Sequence, residues 1–167
     1  VRAAVASLMH VGVRDFDDAL FALNQGVGGI FITSTTNQEL LTTPGRDIQA
    51  LKNIVGRDFR VSIDFEGGRV LRHSNILGQF PSARVMADTL SPELVRGMGF
   101  DMGNALKAKG IDVNFAPVVD VDTLGLDVVG DRAFSDNPER VAEYATNYAR
   151  GLRDAGVLPV FKHFPGH

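Results

Sequence analysis

The chain has 167 residues, of which 44% are hydrophobic and 22% charged, with a formal net charge of −3. That suits one globular domain or part of a larger one, and the scattered basic residues exclude the Lys/Arg stripe of a nucleic-acid-binding surface. The absence of cysteine excludes disulfides, thiolate metal sites and a cysteine nucleophile, and no run reaches the roughly 20 apolar residues of a transmembrane helix.

In chain order, apolar runs alternate with amphipathic segments. Residues 7–13 (SLMHVGV) predict a first strand, and residues 16–23 a short helix stopped near Gly26. Residues 28–33 (GGIFIT) predict a second strand, 44–55 a helix with Pro44 at its first position, and 60–64 (RVSID) a third strand. The clearest helix spans 91–110, with Ser91 as cap, Pro92 opening it and Gly110 closing it. Residues 111–117 (IDVNFAP) predict a fourth strand, 138–155 a helix opened by Asn137-Pro138 and closed by Gly156, and 157–161 a fifth strand.

Strands separated by helix-sized segments imply parallel βαβ units. A doubly wound sheet usually carries a Gly-rich nucleotide turn after its first strand. Here Arg14-Asp15-Phe16-Asp17 follows instead. A (β/α)8 barrel needs eight units and about 250 residues, so about five units make the N-terminal portion of a TIM-type barrel that ends before closure. The α/β chain, residues 1–167, reads as a single partial domain.

Four clusters carry candidate chemistry. Asp64, Glu66, Gly67, Gly68, Arg69 and Arg72 sit at the C-terminal end of the third strand, where carboxylates can accept from vicinal hydroxyls of a sugar. A loop salt-bridge network among the same acids and arginines is an equally good reading. Asp120 and Asp122 follow the fourth strand, and loop-capping or orientation of nearby basic side chains is favoured over metal or sugar binding. Arg132, in the loop before the Asn137-Pro138 helix, offers a fork of donors, against a plain pairing with Asp131 or Asp136. The fifth strand delivers Lys162 and His163 to a turn made by Pro165 and Gly166. His163 and His167 are four apart, but Pro165 and Gly166 break any helix between them and no H-E-x-x-H is present. No metal or other cofactor is expected.

The stretches IDFEGGRV, DVNFAPVVDVD, GDRAFSDNPERV and KHFPGH, in this order, resemble glycoside hydrolase family 3, and within it the bacterial β-N-acetylglucosaminidases (β-hexosaminidases). Phe65 departs from the polar residue frequent there. The resemblance implies a retaining exo-β-N-acetylglucosaminidase acting on muropeptide or related β-linked fragments. It implies that Asp64, Arg72, Arg132, Lys162 and His163 bind the non-reducing terminal N-acetylglucosamine. The nucleophilic Asp and the acid/base His–Asp pair are implied beyond residue 167, so no catalytic residue is expected within the chain and the 167 residues alone are expected to be inactive. A β-glucosidase, a phosphorylase and a non-catalytic sugar-binding module are the alternatives. The implied partner is a small carbohydrate, without nucleic acid or a membrane span. Localisation is expected to be cytoplasmic. The alternative is an exported protein or lipoprotein, since Val1 is not an initiator Met and leaves a removed signal open.

Overall fold

The computed structural model describes the backbone of residues 1–167 and every side chain but that of Arg2. A short helix, α1 (Arg2–Ala6), precedes β1 (His10–Val13), α2 (Phe16–Asn24) and β2 (Gly29–Ile32). Next come α3 (Glu39–Thr42), α4 (Ile48–Val55) and β3 (Arg60–Ile63). The hairpin strands β4 (Phe65–Gly67) and β5 (Val70–Leu71) and the helices α5 (Ser74–Leu77) and α6 (Ala83–Thr89) intervene before the long α7 (Pro92–Ala108). Then β6 (Val113–Asn114), a 3-10 turn at Gly130–Arg132, α8 (Pro138–Asp154) and β7 (Leu158–Pro159) complete the order.

The described residues form a five-stranded sheet in the order β1-β2-β3-β6-β7, with every pairing parallel. Successive side chains of a strand point to opposite faces. Val13, Ile30, Ile32, Val61 and Ile63 are buried on the helix side, where each fully buried aliphatic contributes about 1.5–3 kcal/mol. Gly12, Phe31 and Ser62 are matched across β1, β2 and β3 and line the other face, where the Phe31 and Phe115 rings meet edge to face at 5.6 Å. The sheet is the open wall of an α/β barrel. No described helix is long and apolar enough to cross a membrane.

The two long helices keep the ends that their caps predict. Ser91 and Asn137 accept from the backbones of Leu94 and Arg140, with Pro92 and Pro138 in the first turn. Other boundaries shift. The helix expected from residue 44 begins at Ile48, because the Asp47 side chain accepts from Ala50 N and fixes the start there. The expected first strand is shortened because Ser7 to Met9 hydrogen-bond back onto α1. The last two strands are reduced to residue pairs, since Pro117 and Pro159 have no N–H to donate. Their pairing resumes beyond, where Val160 N donates to Asn114 O and Ala116 O and Val118 bridges to Lys162. The Ala116–Pro117, Lys162–His163 and Phe164–Pro165 peptide bonds are cis.

Candidate active site

Barrel sites form where strands end, because the loops there gather side chains from several units. Asp64 directly follows β3, two residues after the inward Ser62. Lys162 lies three residues past β7, bridged to Val118, and its Nζ reaches Asp64 Oδ1 at 2.8 Å. The same ammonium lies 2.6 Å from Glu66 Oε1, which β4 brings in from beside the sheet. Arg132, from the 3-10 turn, grips the Glu66 carboxylate with both arms of its fork, Nε to Oε2 and Nη2 to Oε1, each at 2.9 Å. Exposures of 13% for Arg132, 14% for Lys162 and 5% for Glu66 make this a desolvated group, in which removing one member leaves an uncompensated charge. The Glu66 hydrogen bonds hold the Arg132 pKa above its usual value, against the opposing effect of burial.

His163 extends the cluster. Its Nδ1 lies 2.5 Å from Asp120 Oδ2, and its Nε2 lies 3.4 Å from Arg132 Nη2. A guanidinium only donates, so Nε2 is the accepting nitrogen and Nδ1 carries the proton toward Asp120. The other oxygen of Asp120 accepts from His167 N at 2.9 Å, and the two imidazoles sit edge to face with centroids 4.7 Å apart. One carboxylate thus fixes both the ring of His163 and the turn that follows it. A cavity of about 530 Å3, lined among others by Asp120, Leu124, His163 and His167, opens beside this pair.

Of the residues singled out in the sequence, Asp64, Arg132, Lys162 and His163 converge. Arg72 joins only through its backbone, whose N–H donates to Asp64 O at 3.4 Å. Its guanidinium has no carboxylate partner among the described residues. Arg69 pairs with Asp131 instead, at 3.0 Å, so the plain pairing considered for Arg132 falls to its neighbour in the EGGR stretch. Asp120 orients a basic side chain, the role favoured for it. Asp122 Oδ2 accepts from Arg84 Nη2 at 3.3 Å. Sequence reasoning missed the central part of Glu66 and the supporting parts of Asn114 and Tyr148. The available signals were a carboxylate two residues past Asp64 and a lone Asn inside an apolar strand.

Over residues 1–167 the chain matches the model of a family described as the glycosyl hydrolase family 3 N terminal domain. The chain belongs to glycosyl hydrolase family 3. Among curated family members, the β-hexosaminidase LpqI of Mycobacterium tuberculosis is 46% identical over 173 residues, covering 99% of this chain and 43% of that protein. A β-hexosaminidase of Pseudomonas aeruginosa is 37% identical over 142 residues, covering 84% of this chain and 42% of its own length. The crystal structure of a family 3 glycosyl hydrolase from Mycobacterium smegmatis superposes with a TM-score of 0.93 at 46% identity, over 99% of this chain and 51% of that one. A family 3 β-N-acetylglucosaminidase from Paenibacillus superposes at 0.89 and 30% identity, over 100% of this chain and 33% of that one. The chain therefore spans less than half the length of these curated family 3 relatives.

Proposed function

We propose that these 167 residues are the sugar-recognising part of a single family 3 catalytic domain. The whole enzyme is read as a retaining exo-β-N-acetylglucosaminidase that removes non-reducing terminal β-linked N-acetylglucosamine from muropeptide or related fragments. The observation that carries this reading is the convergence of Asp64, Lys162, Arg132 and His163 around Glu66 at the strand ends. Charged donors and acceptors fixed in this way match the hydroxyls of a pyranose. Asp64 would accept from ring hydroxyls, Lys162 and Arg132 would donate, and the Arg72 guanidinium is left over for the same ligand. The curated relatives named β-hexosaminidase support the N-acetylglucosamine branch.

Retaining glycosidases usually work with two carboxyl groups about 5–5.5 Å apart, one as nucleophile and one as acid/base. Asp64 and Glu66 are neutralised by Lys162 and Arg132, and Asp120 is engaged by His163 and His167. With these carboxylates engaged, we follow the family 3 resemblance, which implies that the covalent step, with its nucleophilic Asp and its acid/base His–Asp pair, belongs to polypeptide outside residues 1–167.

The test is hydrolysis of an aryl β-N-acetylglucosaminide by the full-length polypeptide, with the aryl β-glucoside as control and with phosphate present or absent. Turnover of the first substrate alone, with N-acetylglucosamine as product, is expected, and residues 1–167 alone should give none. Preference for the glucoside would overturn the branch. A sugar-phosphate product would make the protein a phosphorylase, and saturable sugar binding without turnover a binding module.

A further inference from the structure

Glu66 sets the positions of Arg132 and Lys162, yet its own backbone lies outside the parallel sheet. Directly after β3 the chain turns into β4, so the polar groups of Phe65 and Glu66 lose the ladder as partners, and buried backbone groups need substitutes. Two side chains from neighbouring elements supply them. Asn114, in β6, accepts from Phe65 N at 3.0 Å and donates from Nδ2 to Phe65 O at 2.8 Å. Tyr148, in α8, places its hydroxyl 3.0 Å from Phe65 O and 3.1 Å from Glu66 O. On the other side Gly67 approaches the 81–82 segment so closely that a Cβ would lie 2.1 Å from Pro81 O. The Glu66 backbone is pinned from both sides. Asn114 and Tyr148 are 0% and 1% exposed, so neither can touch a ligand.

We propose that Tyr148, together with Asn114, is a positioning residue for sugar recognition: it fixes the Phe65–Glu66 backbone and thereby the carboxylate that aims Arg132 and Lys162. The inference rests on the reading of that cluster as a terminal-sugar subsite. A displacement of about 0.5 Å or 10–20° is enough to spoil such a subsite, so the hydroxyl shared by the carbonyls of Phe65 and Glu66 matters through the precision it lends that carboxylate.

The experiment compares Tyr148→Phe with Tyr144→Phe in the full-length enzyme. Tyr144 lies one turn earlier on α8, and its hydroxyl donates to Leu90 O at 2.9 Å, away from the cluster. The two substitutions remove the same group from the same helix. Tyr148→Phe should raise KM for the aryl β-N-acetylglucosaminide, and the inhibition constant of free N-acetylglucosamine, about fivefold, with kcat within about twofold, as expected for lost uniform binding. Tyr144→Phe should leave all three unchanged. In a Glu66→Gln background, Tyr148→Phe should add less than about a twofold effect, because the residue acts through that carboxylate. Hydrogen exchange at Arg132 Nε–H, read by NMR, should quicken in Tyr148→Phe alone.

Unmoved KM and Arg132 exchange in Tyr148→Phe, or equal effects in both variants, would overturn the proposal. A wild-type enzyme that neither cleaves nor binds the sugar would overturn the subsite reading instead. The Arg132 exchange would then still decide whether Tyr148 positions the cluster.

Discussion

The phenol of Tyr148 titrates in a way that reports its burial. Burial, reinforced by the charge of Glu66 and opposed by a contact with Asn114, pushes its pKa well above the ordinary value of 10.0. The folded protein thus holds a proton that the unfolded chain releases near pH 10. The folded pKa is the higher of the two, so the contribution to stability is complete below pH 10 and declines as pH rises further, by at most about 1.4 kcal/mol per pH unit. At pH 7, Tyr148→Phe should cost about 1 kcal/mol in urea unfolding of the full-length protein, the net worth of a buried hydrogen bond. Between about pH 10 and 11 that deficit should shrink, because only the wild type carries the alkaline penalty. A deficit that stays constant would mean that the phenol is not held neutral. This residue was invisible in the sequence. Helical periodicity shows that position 148 faces the core, but not that its hydroxyl meets carbonyls of residues 65 and 66. Asp64, Lys162 and His163 were legible because each stands where an apolar run ends.

The elements α7 and α8 approach through glycine. A Cβ at Gly151 would lie 2.1 Å from Arg96 O, and one at Gly99 would lie 2.4 Å from Tyr148 O. Both obstacles are backbone, so relief requires the helices to separate. Gly151→Ala should destabilise the full-length protein by about 2 kcal/mol or more, read from the urea midpoint at constant m-value. It should also raise KM, since Tyr148 lies three residues earlier on the same helix. Gly151→Ala with unchanged stability would mean that the contact is slack. The helix ends were readable from Ser91-Pro92 and Asn137-Pro138, whose capping works locally. The strands were readable as apolar runs, but their lengths were not, because prolines and the side chain of Asn114 take over where ladder bonds would continue. The β4–β5 hairpin and the helices α1, α3, α5 and α6 gave no periodic signal. They are too short to show a period, and tertiary contacts hold them, such as Gly68 N donating to Phe80 O at 2.9 Å.

Across the whole molecule the sheet has two free edges, β1 and β7, and beside the second Leu158 and Phe161 are 58% and 50% exposed. Unpaired edges flanked by apolar side chains invite association. Residues 1–167 expressed alone should therefore self-associate with rising concentration in sedimentation velocity, whereas a longer polypeptide that covers this side should not. A monodisperse 167-residue monomer would contradict this. The partial barrel was legible because the alternation of strand and helix is a property of the entire chain. The charges of the candidate site also have a consequence at this scale. Asp64, Glu66 and Asp120 face Lys162, Arg132 and His163. Each of these carboxylates already has a hydrogen-bonded basic partner before any ligand arrives. On the proposed reading the ligand is an uncharged sugar, which displaces no counterions and follows no long-range field whatever the net charge of the group. KM for a neutral glycoside should stay flat from about 0.02 to 0.5 M salt, a range over which surface charges are strongly screened. On that reading, recognition should work equally well in dilute and in saline surroundings.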